Sequence, residues 1–311
     1  MRGIVSEKLK PFLTQVNEQI ALAKDNGISF KPEIVRENLD KLSALNTKIP
    51  AISFTEDRLL SQSTHKIPVR VYSPDVQQPL PVLIYFHGGG HMCGSVELYD
   101  PMCRKIANTS QCVVISVDYR LAPEHPYPEG LNDCIAILKH YQELLTGISY
   151  SDALYIAGDS AGGAICTSIV MQNTQNHIAK IDGQLLIYPS VDYTMSSDSV
   201  KTNGTGFLLE SDKVAWYFDN YFQHNEDKQA LSPLNAPMSK NMPRSLVITA
   251  GCDPLRDEGL AYAGALTAAG VSVTHYSFDH MVHAFINIED LVPEECAKLY
   301  QLMAEFIKTD S

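Results

Sequence analysis

Apolar residues recur at helical spacing through the first fifty positions. Leu9, Phe12, Leu13, Val16, Ile20 and Ala23 mark one face over 5–25, and Ile34, Val35, Leu39, Leu42 and Leu45 mark another over 31–46. Two amphipathic helices are predicted there. Pro11 has no amide hydrogen to give, so the first helix is expected to begin after Val5 or to bend. From about 51 the period shortens towards two. Strands are predicted at 51–60 and 65–73, the second alternating Ile67, Val69, Val71. Pro68 and Pro74 place that strand near a sheet edge or an end. Beyond Pro81, short apolar runs at 82–86, 112–117, 154–157, 184–188, 246–250 and 272–276 alternate with helical stretches. These helices are predicted near 101–109, 129–145, 161–175, 255–269 and 293–308. Runs that are apolar on both faces and separated by helices belong to a mostly parallel sheet covered on both sides. An α/β fold with eight strands is expected.

One interval breaks the alternation. More than fifty residues separate Pro189 from Leu246, including Asn203-Gly204-Thr205-Gly206-Phe207-Leu208-Leu209 and an aromatic run, Trp216 to Phe222. Loops between strands and helices are usually a few residues, so this is an insertion. It is expected to fold as a lid with the N-terminal helices, the alternative being a helical excursion packed elsewhere. The expected organisation is 1–50 as a first cap part, 51–188 and 245–311 as the core, and 189–244 as a second cap part.

With 311 residues, 45% hydrophobic and 19% charged, the chain has enough apolar residues for one large core. Its net charge of −12 argues against nucleic acid or an anionic membrane surface as the main partner, leaving small neutral or cationic substrates. Seven cysteines are scattered, several in apolar runs, and none forms a Cys-x-x-Cys pair. They read as small buried hydrophobes. The first residues lack the apolar core of a signal peptide, and no run approaches the ~18 residues of a membrane span. A cytoplasmic protein is expected.

The chemistry centres on Gly158-Asp159-Ser160-Ala161-Gly162. An apolar strand precedes it and a Gly- and Ala-rich helix follows, which is the setting in which Gly-x-Ser-x-Gly lifts a serine hydroxyl off a sharp turn. A serine needs a base, and the base needs a carboxylate to hold its tautomer. In this strand–turn–helix context the acid should come next and the histidine last, each past a late strand. Asp253 follows the 246–250 run, and His280 and His283 follow the sixth run. His87-Gly88-Gly89-Gly90 follows the strand at 82–86, and its bare amides would hold a developing oxyanion. The expected donors are the N–H groups of Gly88, Gly89 and Ala161.

Together with Asp118-Tyr119-Arg120-Leu121-Ala122-Pro123-Glu124, Asp253-Pro254-Leu255-Arg256-Asp257-Glu258 and His283-Ala284-Phe285, these motifs resemble the hormone-sensitive-lipase-like carboxylesterase branch of the α/β-hydrolases. The resemblance runs from about residue 50 to the end, and the N-terminal helices resemble the first part of that branch's cap. It implies Ser160 as nucleophile, Asp253 as acid and His283, in preference to His280, as base, with no metal and no organic cofactor. It also implies that Asp118, Tyr119, Arg120 and Glu124 brace loops. Two departures stand out: Ala284 where the family has glycine, and His91-Met92 where it has a large apolar or aromatic residue. The expected activity is hydrolysis of short- to medium-chain acyl esters, with His91, Met92, Phe207, Leu208 and Leu209 around the substrate. An amidase, lactonase or deacetylase would share these parts, and a ligand-binding receptor is the rival on the same scaffold. The edge strand near 272–278 is expected to pair two copies into a homodimer.

Overall fold

The computed structural model describes residues 1–308. Its strands are β1 (Phe54–Ser61), β2 (Lys66–Ser73), β3 (Leu80–Phe86), β4 (Val113–Val117), β5 (Tyr150–Asp159), β6 (Gly183–Ile187), β7 (Arg244–Cys252) and β8 (Val273–Val282). They form one sheet in the order β1-β2-β4-β3-β5-β6-β7-β8. The β1–β2 and β2–β4 pairs are antiparallel, and every other pair is parallel. The eight strands and the mostly parallel sheet follow the apolar runs of the sequence.

The helices are α1 (Lys10–Asp25), α2 (Pro32–Asp40), α3 (Val96–Ser110), α4 (Glu129–His140), α5 (Ala161–Asn176), α6 (Asp198–Thr202), α7 (Ser211–Tyr221), α8 (Lys228–Leu231), α9 (Arg256–Ala268) and α10 (Pro293–Lys308). Pro11 sits in the first turn of α1, where a missing amide hydrogen costs nothing. The helix expected from 101 starts earlier, at Val96, because Ser95 Oγ accepts from the Leu98 N–H at 3.2 Å and caps it. Pro101 is tolerated inside that helix.

Alternate side chains of a strand face opposite sides of the sheet. Leu83 and Tyr85 of β3 pack with Met102, Ile106, Leu299 and Met303 of α3 and α10. Val82, Ile84 and Phe86 pack with Leu131, Ile165, Ile169 and Leu266 of α4, α5 and α9. A third cluster joins Val35 of α2 to Val214, Phe218 and Tyr221 of α7. The loops that leave β3, β5, β7 and β8 all emerge at the C-terminal edge of the sheet, where open α/β sheets place their sites.

Candidate active site

β5 ends at Asp159 and α5 begins at Ala161, so Ser160 is the whole turn. Its backbone has φ 53° and ψ −117°, a conformation costing about 1–3 kcal/mol in a non-glycine residue. Its N–H donates to Ile187 O at 2.9 Å and its carbonyl accepts from Ser190 N at 3.1 Å. The flanking glycines permit this tight passage: a Cβ on Gly162 would lie 1.9 Å from Phe86 O, and one on Gly158 would lie 2.4 Å from the Gly162 carbonyl carbon.

Three side chains from three loops meet here. Asp253, fully buried at the end of β7, accepts from Leu255 N through Oδ1 at 2.8 Å. Its Oδ2 lies 2.8 Å from His283 Nδ1, and His283 Nε2 lies 2.9 Å from Ser160 Oγ. A carboxylate only accepts, so Nδ1 carries the proton and Nε2 is left to accept from the serine hydroxyl. His280, the other candidate, turns away and pairs Nδ1 with Ile4 O at 2.8 Å. The residue after His283 is Ala284, which adopts a left-handed φ of 59°. A glycine would take that conformation without strain.

The glycine loop departs from expectation at its first member. Gly88 N donates to Asp159 Oδ1 at 2.8 Å, so that N–H is committed and Gly88 does not line the cavity beside Ser160. Gly89, Gly90 and Ala161 do line it, and their N–H groups have no protein acceptor among the described residues. Asp159 also accepts from Tyr85 Oη at 2.9 Å and Tyr99 Oη at 3.0 Å. Burial still dominates and pushes its pKa up to about 6. The adjoining His87 stacks on Tyr119, whose hydroxyl donates to His87 O at 2.7 Å. Burial lowers the His87 pKa to about 4, so the ring is neutral. Arg120 pairs with Asp133 at 2.8 Å, and Glu124 pairs with Arg36 of α2 at 2.6 Å.

A cavity of about 840 Å³ opens over Ser160 and His283, walled by residues of α1, α2 and α7. Of the five residues placed around the substrate in the sequence reading, His91, Leu208 and Leu209 line it, and Met92 and Phe207 do not. Met92 is fully buried in the α2–α7 cluster, and Phe207 packs beneath the Arg2 guanidinium, 4.3 Å from its ring centroid. His91 is buried, stacks on Tyr221 with centroids 3.8 Å apart, and burial lowers its pKa to about 3. Among the described residues, no group of three or more His, Cys, Asp or Glu side chains is arranged to hold a metal ion.

Sequence reasoning passed over three residues at this site. Asp159 reads as the variable position of the serine motif. Asn203, fully buried, donates to Gly251 O and Asp253 O, each at 3.1 Å, and accepts from Gly3 N at 2.9 Å; in sequence it is half of an Asn-Gly turn. Lys213, one turn before Tyr217 on α7, lines the cavity. Its neighbours Trp216, Tyr217 and Phe218 drew attention as aromatics, while a single lysine carried no signal.

Residues 83–287 match the family model described as alpha/beta hydrolase fold. The chain is 38% identical over 271 residues to the carboxylesterase NlhH of Mycobacterium tuberculosis, covering 84% of each chain. It is 32% identical over 243 residues to the ethyl acetate hydrolase of Pseudomonas putida, covering 76% of each. A hyperthermophilic esterase from the archaeon Pyrobaculum calidifontis superposes with a TM-score of 0.88 at 32% identity, covering 99% of both chains.

Proposed function

The chain belongs to the α/β-hydrolase fold family, in its hormone-sensitive-lipase-like carboxylesterase branch, and is an ester-hydrolysing serine esterase; on that premise we propose that Ser160 is its nucleophile, His283 its general base and Asp253 the carboxylate that orients the base. Ser160 Oγ attacks the ester carbonyl carbon while its proton passes to His283 Nε2, and Asp253 stabilises the imidazolium that forms. The N–H groups of Gly89, Gly90 and Ala161 hold the oxyanion, each worth roughly 3 kcal/mol in the transition state. Collapse breaks the bond to the alcohol, which takes the proton from Nε2 and leaves the acyl group on Ser160. Water, deprotonated by the same nitrogen, then attacks the acyl carbonyl. The acid departs and the proton returns to Oγ. The relay from Asp253 Oδ2 through the imidazole to Ser160 Oγ, at 2.8 and 2.9 Å, is the observation that carries this reading.

Residues 1–50 and 189–244 act as two parts of one cap over the core of 51–188 and 245–311. The joint α1, α2 and α7 walls of the cavity support this. The preferred substrates are short- to medium-chain acyl esters, a reading that the ethyl acetate hydrolase relative supports. Two copies pair through the β8 edge. The seven cysteines, all free and buried, support a reducing, cytoplasmic location, and among the described residues no helix is long and apolar enough to cross a membrane.

Replacing Ser160 by Ala tests the nucleophile. Turnover of p-nitrophenyl butanoate is expected to fall by roughly 10³-fold or more, and a fluorophosphonate should label the wild type but not the variant. A variant that keeps a substantial part of the rate refutes the assignment. A wild-type rate still rising beyond about ten acyl carbons refutes the chain-length reading.

A further inference from the structure

We propose that Lys213 recognises an anionic group on the substrate, so that the favoured esters carry a carboxylate several bonds from the scissile carbonyl. This deepens the esterase reading above and rests on it. The geometry starts at the oxyanion loop. The Tyr217 ring lies directly on Gly90, where an added Cβ would sit 2.5 Å from the ring carbons. Lys213 stands one helical turn earlier on the same face of α7, a displacement of roughly 5–6 Å. Its Nζ is 5.6 Å from the Tyr217 centroid, and its side chain forms part of the wall of the cavity that holds Ser160. An ester seated with its carbonyl oxygen on the Gly89 and Gly90 amides shares one cavity with this ammonium, and a substrate arm lying along Tyr217 would bring its far end to it.

Lys213 rests on the Tyr217 ring but, among the described residues, has no carboxylate partner. The nearest carboxylates, Glu210 and Asp212, are both held by Lys24, at 2.7 and 3.0 Å. Its position adds a second pull on an anion. Lys213 lies in the first turn of α7, an eleven-residue helix whose Glu210 N-cap offers no side-chain bond to the helix amides. The N-terminal end of a helix dipole attracts an anion as the ammonium does, and the two carboxylates at this end, Glu210 and Asp212, are turned to Lys24. Burial lowers the Lys213 pKa, and a bound carboxylate would oppose that shift. In a chain of net charge −12, whose general field disfavours anions, recognition of one needs a local cation of this kind.

The test compares matched esters by pH-stat. Monoethyl adipate against ethyl hexanoate places the charge on the acyl side; carboxymethyl butanoate against ethyl butanoate places it on the alcohol side. The measured quantity is the anionic-to-neutral ratio of kcat/KM. Lys213→Met is expected to lower that ratio about tenfold in at least one pair, the loss of one charge-assisted hydrogen bond, and Lys213→Arg to restore most of it. A ratio equal in wild type and Lys213→Met for both pairs overturns the proposal. A second measurement needs no variant: wild-type protein that rejects both anionic esters by more than about 100-fold also overturns it. Wild type that hydrolyses neither neutral ester would instead overturn the esterase reading.

Discussion

Asp159 shows how one buried carboxylate ties the serine turn to the glycine loop. Two tyrosine hydroxyls and the Gly88 N–H converge on it, and its grip on Gly88 leaves the next two amides facing the cavity. Burial raises its pKa from the ordinary 3.8 to about 6. Between these values the native state keeps a proton that the unfolded chain has released, so native stability falls as pH rises through the window. The contribution is fully present below about pH 4 and lost above about pH 6, a change of roughly 3 kcal/mol. Asp159→Asn keeps an oxygen for Gly88 N and Tyr85 but cannot ionise. The wild-type minus variant difference in unfolding free energy should therefore drop by roughly that amount from pH 4 to pH 7, followed by urea denaturation. A difference that stays flat across this range would mean that Asp159 ionises as readily in the native protein as in the unfolded chain.

Where α6 ends, Asn203 joins three segments far apart in the chain: the N-terminus through Gly3, the insertion that contains it, and the loop carrying Asp253. Asn203→Ala leaves the Gly251 and Asp253 carbonyls and the Gly3 N–H without this partner, at a cost of about 3 kcal/mol or more in stability. Because the amide touches the acid's loop and not the substrate, kcat should fall more than KM rises. A stability loss with kcat intact would show that other contacts hold that loop. The residue also marks the limit of what the primary structure reveals. β5, the serine turn and the loops of Asp253 and His283 were readable because each rests on local periodicity and chain order. Asn203 reads as a turn, since its role is set by Gly3, two hundred positions away. The Gly88 N–H was misassigned because its acceptor lies 71 residues later. The placement of β4 between β2 and β3 was equally hidden, because strand pairing is non-local and apolar runs on both faces look alike in any order.

The sheet has two open edges, and they differ in the way that matters for pairing. β1 presents Glu56, Asp57 and Arg58, with Arg58 held to Glu56 at 2.6 Å and Asp57 held by Arg70 at 2.5 Å. Charged side chains of this kind deter a second strand. β8 pairs with no strand but β7, and although the N-terminal segment reaches its far end, where Ser6 N donates to His280 O at 3.0 Å, its first six residues, Val273 to Phe278, carry no formal charge, with Thr274, His275 and Tyr276 exposed. Burial lowers the His275 pKa, so it stays neutral near pH 7. A two-fold axis beside β8 would set the strand antiparallel to its own copy, satisfying the free amides and carbonyls of both and continuing the sheet across the interface. Light scattering at micromolar concentration is accordingly expected to give twice the 34.4 kDa of one chain. Tyr276→Lys, which places a charge on that edge, should return the mass to a single chain. A wild-type mass of one chain removes the dimer; a dimer that survives Tyr276→Lys moves the interface away from β8.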